Sequence, residues 1–257
     1  MSASGNDLFC LKNKTILVTG GTRGIGQAIS LRFARAGATV IANYLRNQKA
    51  AENLSAIATQ ESLAITLCRA DITAERGLEQ IDRTLQDCKL PLSGLVHCAA
   101  TGIHRPIEEL TERNFDWVFN LNVRAFFKLV KLLVPRFSKG SSIVAVSSWG
   151  ALRAFPSYSL VGSSKGALES LARHLAVELA PRGIRVNILT AGAVLTDAWE
   201  AMPNREERIA ETIRRTPAGR LTTADEVAYG AQFLCSDAAA AIVGHTLVLD
   251  GGTGIMP

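Results

Sequence analysis

Short apolar, β-branched runs alternate along the chain with longer stretches in which apolar residues recur every three or four positions. The short runs predict seven strands, at 15–18, 39–43, 64–68, 94–98, 142–146, 185–189 and 246–249. The longer stretches predict helices at 27–36, 48–60, 74–87, 114–134, 162–179 and 225–234. Strands fed by helices in this rhythm build a parallel sheet covered on both faces, an α/β, doubly wound architecture. No repeat, linker or low-complexity tract divides the 257 residues, so one domain is expected across 1–257. The rhythm breaks once. Residues 196–220 hold Trp199, Met202, Pro203, Pro217 and two clusters of mixed charge, too long for an ordinary connection, and predict a lid-like insertion.

Composition narrows the class further. Hydrophobic residues make up 47% and charged residues 20% of the chain, and no apolar run reaches the length of a membrane span, so no membrane partner is expected. The N-terminus lacks a secretory pattern, and Cys10, Cys68, Cys88, Cys98 and Cys235 show no paired spacing. A cytoplasmic, reducing location follows as an expectation. Four scattered histidines predict no metal site. A net charge of +5 without any basic block points to a phosphorylated cofactor or acidic carrier and away from nucleic acid.

The first chemical signal lies between a predicted strand and a predicted helix: Gly20, Gly21, Thr22, Arg23, Gly24, Ile25 and Gly26, spaced Gly-x3-Gly-x-Gly. Such a turn presents free backbone N–H groups and a positive helix end to a pyrophosphate. Ala70-Asp71-Ile72 follows the third strand, His97-Cys98-Ala99-Ala100 the fourth, and Asn120-Leu121-Asn122-Val123 lies in the fourth long helix. Together these motifs resemble the short-chain dehydrogenase/reductase family, over residues 15–252. The resemblance implies a Rossmann-type, doubly wound, seven-stranded parallel sheet with helices on both faces. It implies that Asp71 and Ile72 meet the adenine, that Ala99 lies beside the adenine ribose, and that Asn122 supports a proton-relay water. It places Val194 and Thr196 at the nicotinamide carboxamide and suggests a homotetramer packed through the 114–134 and 162–179 helices. His97-Cys98 departs from the family's usual Asn-Asn, which is expected to loosen that turn.

Charge argues for NADPH as cofactor. The second strand ends Asn43-Tyr44-Leu45-Arg46, with no acid to repel a 2′-phosphate, while Arg23 and Arg46 can approach it from two sides.

The lysine of the family's catalytic motif is Lys165, in Ser163-Ser164-Lys165-Gly166-Ala167. Family ketoreductases carry a tyrosine four residues earlier, where this chain has Val161. The nearby tyrosine is Tyr158, seven residues before the lysine. This Tyr-x6-Lys spacing, with Pro203-Asn204-Arg205-Glu206 and Thr216-Pro217-Ala218-Gly219-Arg220, resembles the third, NADPH-using type of bacterial enoyl-acyl-carrier-protein reductase. In a continuous helix a seven-residue offset keeps Tyr158 on the lysine face, roughly 10 Å along the axis instead of about 6 Å. A donor displaced that way suits a thioester oxygen, where charge collects when hydride adds to a β-carbon.

The resulting expectation is reduction of a trans-2-enoyl thioester on acyl carrier protein or coenzyme A. Tyr158, Lys165, Ser148 (with Ser147 as its neighbour) and Asn122 are the catalytic candidates, and Leu195, Trp199, Met202 and Ile209 the acyl contacts. The alternatives are a carbonyl reductase with a shifted tyrosine and a catalytically silent NADP-binding module. A separate alternative for Tyr158 itself is a loop aromatic that packs against Phe155 and Pro156.

Overall fold

The structure is a computed structural model in which residues 8–88, 91–196 and 204–256 are described. Seven strands form one parallel sheet: β1 (Thr15–Thr19), β2 (Thr39–Tyr44), β3 (Ile65–Arg69), β4 (Leu92–His97), β5 (Phe137–Ser148), β6 (Arg185–Ala191) and β7 (Thr246–Leu249). Their order is β3-β2-β1-β4-β5-β6-β7. Every residue of β1 and β6 is buried, as continuous apolar runs in a sheet covered on both faces must be.

The connecting helices are α1 (Gly24–Arg35), α2 (Gln48–Gln60), α3 (Glu75–Gln86), α4 (Glu112–Phe119), α5 (Ala125–Leu133), α6 (Ser159–Leu179), α7 (Arg205–Arg215) and α8 (Ala224–Cys235). Two cores result. On one face Leu78 and Ile81 of α3, Phe126 and Leu129 of α5 and Leu168 of α6 pack against Leu17, Leu95 and Ile143. On the other, Ile29 and Phe33 of α1 and Val227 of α8 pack against Val18, Val144 and Leu189. Fully burying side chains such as Phe33 and Phe126 contributes roughly 1.5–3 kcal/mol each. Among the described residues no helix is long and apolar enough to cross a membrane.

The order reverses between β1 and β4, where the chain runs outward from β1 in both directions. At such a switch point a crevice opens beyond the carboxyl ends of the strands.

Several boundaries differ from the sequence expectation. The predicted 114–134 helix is interrupted: α4 begins two residues earlier, under a capping box between Thr111 and Asn114, and residues Asn120–Arg124 form a π-helical turn before α5. Strand β5 starts at Phe137, because its first residue pairs with Leu92 ahead of the main ladder. The predicted 162–179 helix begins at Ser159, and the expected insertion contains α7.

Candidate active site

The glycine turn closes the carboxyl end of β1 under tight steric constraint. Gly20 takes φ +63°, and a β-carbon on Gly26 would lie 2.1 Å from the Gly20 carbonyl oxygen. Only glycine fits there. Thr22 is buried, Ile25 is half-buried, and Arg23 sits extended at the N-cap of α1, facing solvent. The space over Gly24 is bounded by Thr196, whose Cγ2 would lie 3.4 Å from an added β-carbon. The turn and the segment after β6 therefore face each other across the crevice, with Val194 buried beside them in a bridge to Thr222.

At the end of β2, Asn43 is turned inward and donates to the carbonyls of Cys68 and Ala70. Tyr44 donates to Gln48, and Arg46 is exposed. Register pairs Tyr44 with Arg69, whose Nε donates to the Leu45 carbonyl at 3.2 Å. Arg69 is thus a basic side chain beside Leu45 and Arg46, and the sequence reading missed it. The signal was available in the β2–β3 pairing. Asp71 uses Oδ1 to accept from the backbone and hydroxyl of Thr73, which fixes the carboxylate while Ile72 is buried beside it.

The turn after β4, expected to be loose, is pinned. Thr19 Oγ1 accepts from the backbone N–H of Cys98 and of Ala99, and meets His97 Nδ1 at 3.1 Å. Ala99 packs against Gly20, so a hydroxyl on β1 replaces whatever the departed motif would supply. His97 is fully buried against the Phe126 ring and held down to about 3, chiefly by burial and then by the charge of Lys165. It is neutral. Burial pushes the Cys98 thiol up to about 11, so it too stays uncharged beside Lys165.

Lys165 is buried on α6, and its Nζ donates to the Val146 carbonyl at 2.8 Å. Burial lowers it to about 8, with Cys98 and Glu169 pulling the other way. An ammonium has three donors, so two remain for a ligand. Ser147 is removed from candidacy because its hydroxyl donates to the buried Glu169 carboxylate at 2.7 Å. Ser148 behaves differently: its Oγ is buried and has no hydrogen-bond partner among the described residues. A hydroxyl at the end of a central strand beside such a crevice has its hydrogen-bonding capacity free for a ligand or a water.

Asn122 lies in the π turn and is fully buried. Both Nδ2 protons are engaged: Oδ1 accepts from Thr101 N, and Nδ2 donates to Thr101 O and Ser164 Oγ, each at 2.9 Å. The side chain locks the loop after β4 to α6. A π turn re-aims one side chain within a helix, a device common at functional positions.

Tyr158 corrects the continuous-helix expectation. It stands at the N-cap of α6, with φ −118° and ψ 10°, and its carbonyl accepts the first helical bond from Gly162. Ser157 before it is left-handed at φ +59°, a sparsely populated conformation for serine. The phenol ring lies against Gly150, where an added β-carbon would meet Cε1 at 2.4 Å, and against Gly162. Its ring neighbours are Phe155, edge-on at 5.8 Å, and His104, tilted at 5.2 Å. Among the described residues no hydrogen bond joins Tyr158 to Lys165 or Ser148. Val161, at the ordinary tyrosine position, is buried against Gly102. A groove of about 480 Å³ opens beside Tyr158, lined by Ile107, Leu152, Phe155 and Gly162 among others.

The C-terminal segment closes one side of this region. Trp149 Nε1 donates to Asp250 Oδ2 at 2.8 Å, and Arg153 reaches the carbonyls of Thr253, Gly254 and Met256. Thr216 and Thr253 bond through their hydroxyls, which ties the end of α7 to the same segment. Leu195 is exposed and Ile209 half-buried; Trp199 and Met202 lie outside the described residues. Among the described residues no group of three or more His, Cys, Asp or Glu side chains could hold a metal ion.

A glycine cradle at the switch point, facing a buried lysine and an orphaned serine hydroxyl, fits a dinucleotide and defines a nucleotide-dependent dehydrogenase or reductase. Residues 20–254 match the family model described as enoyl-(acyl carrier protein) reductase. The chain is 35% identical to a 1-cyclohexenylcarbonyl-CoA reductase of Streptomyces collinus, over 95% of this chain and 88% of that protein. It is also 35% identical to an L-xylulose reductase of Caenorhabditis elegans, over 93% and 95%. Among solved structures, a dehydrogenase/reductase from Sinorhizobium meliloti 1021 matches with TM-score 0.89 and 32% identity, covering 95% of this chain and 96% of that one. A gluconate 5-dehydrogenase from Burkholderia cenocepacia J2315, in complex with NADP and tartrate, matches with TM-score 0.89 and 26% identity, over 98% and 99%. The chain belongs to the short-chain dehydrogenase/reductase family of oxidoreductases, whose fold holds a nicotinamide cofactor.

Proposed function

We propose that this chain is an NADPH-dependent reductase of the C=C bond of trans-2-enoyl thioesters. The observation that carries the reading is the relocation of the phenol. Val161 fills the ordinary tyrosine position without a hydroxyl, and Tyr158 is held at the mouth of α6 by a left-handed Ser157 and two glycines. The Streptomyces collinus relative supports it, because its name describes a thioester whose C=C is conjugated to the carbonyl. The coenzyme, when bound, supplies hydride to the β-carbon.

The chain's own residues do the rest. Tyr158 and the unpartnered Ser148 hydroxyl donate to the thioester oxygen as enolate charge develops there, the stage at which a preplaced donor contributes most. Lys165 holds the nicotinamide ribose with its two remaining donors and favours ionisation of the phenol. The α-carbon takes its proton from solvent or from a water relay through Asn122. Gly20, Thr22, Gly24, Ile25, Gly26 and Thr196 surround the pyrophosphate, Asp71, Ile72 and Ala99 the adenosine, and Val194 the carboxamide. Arg23, Arg46 and Arg69 favour a 2′-phosphate, and the Burkholderia cenocepacia structure with NADP agrees with that choice. Leu195, Trp199, Met202 and Ile209 contact the acyl chain. Exposed Phe115, Trp117 and Phe127 on α4 and α5, with Val177 on α6, support a tetramer packed through these helices.

Carbonyl reduction is the second reading, favoured by the L-xylulose reductase relative. NADPH consumption with crotonyl and acetoacetyl thioesters, measured side by side, separates the two. The expected result is turnover of the crotonyl substrate, and activity on acetoacetyl alone rejects the proposal.

A further inference from the structure

We infer, resting on the roles given above to Ser148 and Lys165, that the buried Glu169 carboxylate is a positioning residue that sets where the serine hydroxyl and the lysine ammonium stand. Glu169 lies on α6 one turn beyond Lys165 and is only 2% exposed. Its Oε1 accepts from Ser147 Oγ at 2.7 Å and from Thr190 Oγ1 at 3.4 Å. Ser147 on β5 and Thr190 on β6 are register partners, so one carboxylate oxygen joins α6 to both strands at once. Lys165 meanwhile donates to the carbonyl of Val146, the residue before Ser147. Two successive turns of α6 thus grip two successive residues of β5, and the next residue along the strand is Ser148. The place of its hydroxyl follows from that double grip.

Packing does not call for a carboxylate here. Burying a charge is unfavourable unless it is paired and hydrogen-bonded, and an apolar side chain of similar size stabilises a core at least as well. Glu169 is surrounded accordingly, by the two hydroxyl donors and by Arg173 at 3.5 Å on the following turn. Lys165, Glu169 and Arg173 form a stripe of alternating charge along α6, each pair four residues apart, where helical side chains are neighbours. The titratable groups facing Lys165 are Cys98 and His97 from the end of β4 and Glu169 from its own helix. Cys98 and His97 are uncharged, so Glu169 is the anion that favours the ammonium. Sequence reading passed over Glu169, since a glutamate on an amphipathic helix ordinarily faces solvent.

The test uses the full chain with NADPH and crotonyl thioester. Glu169→Ala removes the grip and is expected to lower kcat at saturating NADPH about 10- to 10²-fold, the scale of a misplaced group. Ser147→Ala breaks the same bond from its other end and should lower kcat about tenfold, and the double variant should be no slower than Glu169→Ala, because coupled partners are not additive. Glu169→Gln keeps an acceptor for Ser147 without the charge, so kcat at pH 7 should return to within about threefold of wild type. Its NADPH affinity, read by fluorescence titration without substrate, should begin to decline at lower pH than in the wild type. That shift should vanish when Lys165 is alanine. A residue that only fills the core would move neither the double-variant cycle nor the pH of the decline.

Wild-type kcat in Glu169→Ala, or additive losses in the cycle, overturn the link to β5. Where Glu169→Ala does not fold, wild-type kcat in Ser147→Ala has the same force. An NADPH decline at the wild-type pH in Glu169→Gln overturns the link to Lys165. A wild type active only on acetoacetyl thioester rejects the enoyl reading instead. The same kcat comparisons are then made with that substrate, and the NADPH titration stands as it is.

Discussion

The two sides of the crevice are built on different terms. On the cofactor side, from β1 to the turn after β4, geometry is enforced at the backbone: Gly20 and Gly26 exclude any β-carbon, and Thr19 clasps two N–H groups of the turn after β4. On the substrate side, from β5 to the C-terminus, geometry is enforced by side chains. Tyr158 rests on rings and glycines, and Trp149, Arg153 and Asp250 fasten the C-terminal segment to the loop that carries it. A backbone-built site tolerates little sequence change, whereas a side-chain-built site leaves room for a phenol three residues from the ordinary tyrosine position, which here holds Val161.

Variants at the seam between the two sides should break this division most severely. Lys165 serves both, so Lys165→Ala is expected to lower turnover about 10³-fold and to weaken NADPH as well, checked by steady-state kinetics and cofactor fluorescence titration. Gly26→Ala acts on one side alone. Its β-carbon would sit 2.1 Å from the Gly20 carbonyl, and NADPH affinity should fall by about 30-fold or more as the turn shifts off its geometry.

The backbone-built side was the more legible in sequence. All seven strands and the glycine turn were readable from runs and spacing, because buried parallel strands and a close backbone approach restrict residue type directly. The π turn at 120–124 was not, since it preserves the apolar periodicity of the helix it interrupts and depends on Asn122 reaching Thr101. The N-cap position of Tyr158 was likewise hidden. The seven-residue spacing is visible, but the left-handed Ser157 that ends the preceding turn is not. Contacts among Trp149, Arg153 and residues 250–256 join segments about a hundred positions apart, and no local pattern announces them.

Smaller effects sharpen the comparison. Arg46→Ala should reduce the preference for NADPH over NADH about tenfold, as expected for one charge-assisted contact, while leaving enoyl turnover at saturating cofactor unchanged. An unaltered preference would leave Arg23 and Arg69 as the discriminating residues. The pH dependence is smaller still. Lys165, lowered to about 8, is charged below that value and loses its charge as pH rises through it. NADPH affinity should therefore decline a few-fold between pH 7 and 9, and the same titration in Lys165→Ala should be flat.

The central claim is that the displaced phenol is the enolate donor. Replacing Tyr158 with phenylalanine keeps the ring that Gly150, Phe155 and His104 enclose and removes only the hydroxyl. Turnover of crotonyl thioester should fall about 10²- to 10³-fold, the usual consequence of losing one oxyanion donor, with NADPH affinity unchanged. Near-normal turnover in this variant would contradict the account and return Tyr158 to a packing role beside Phe155.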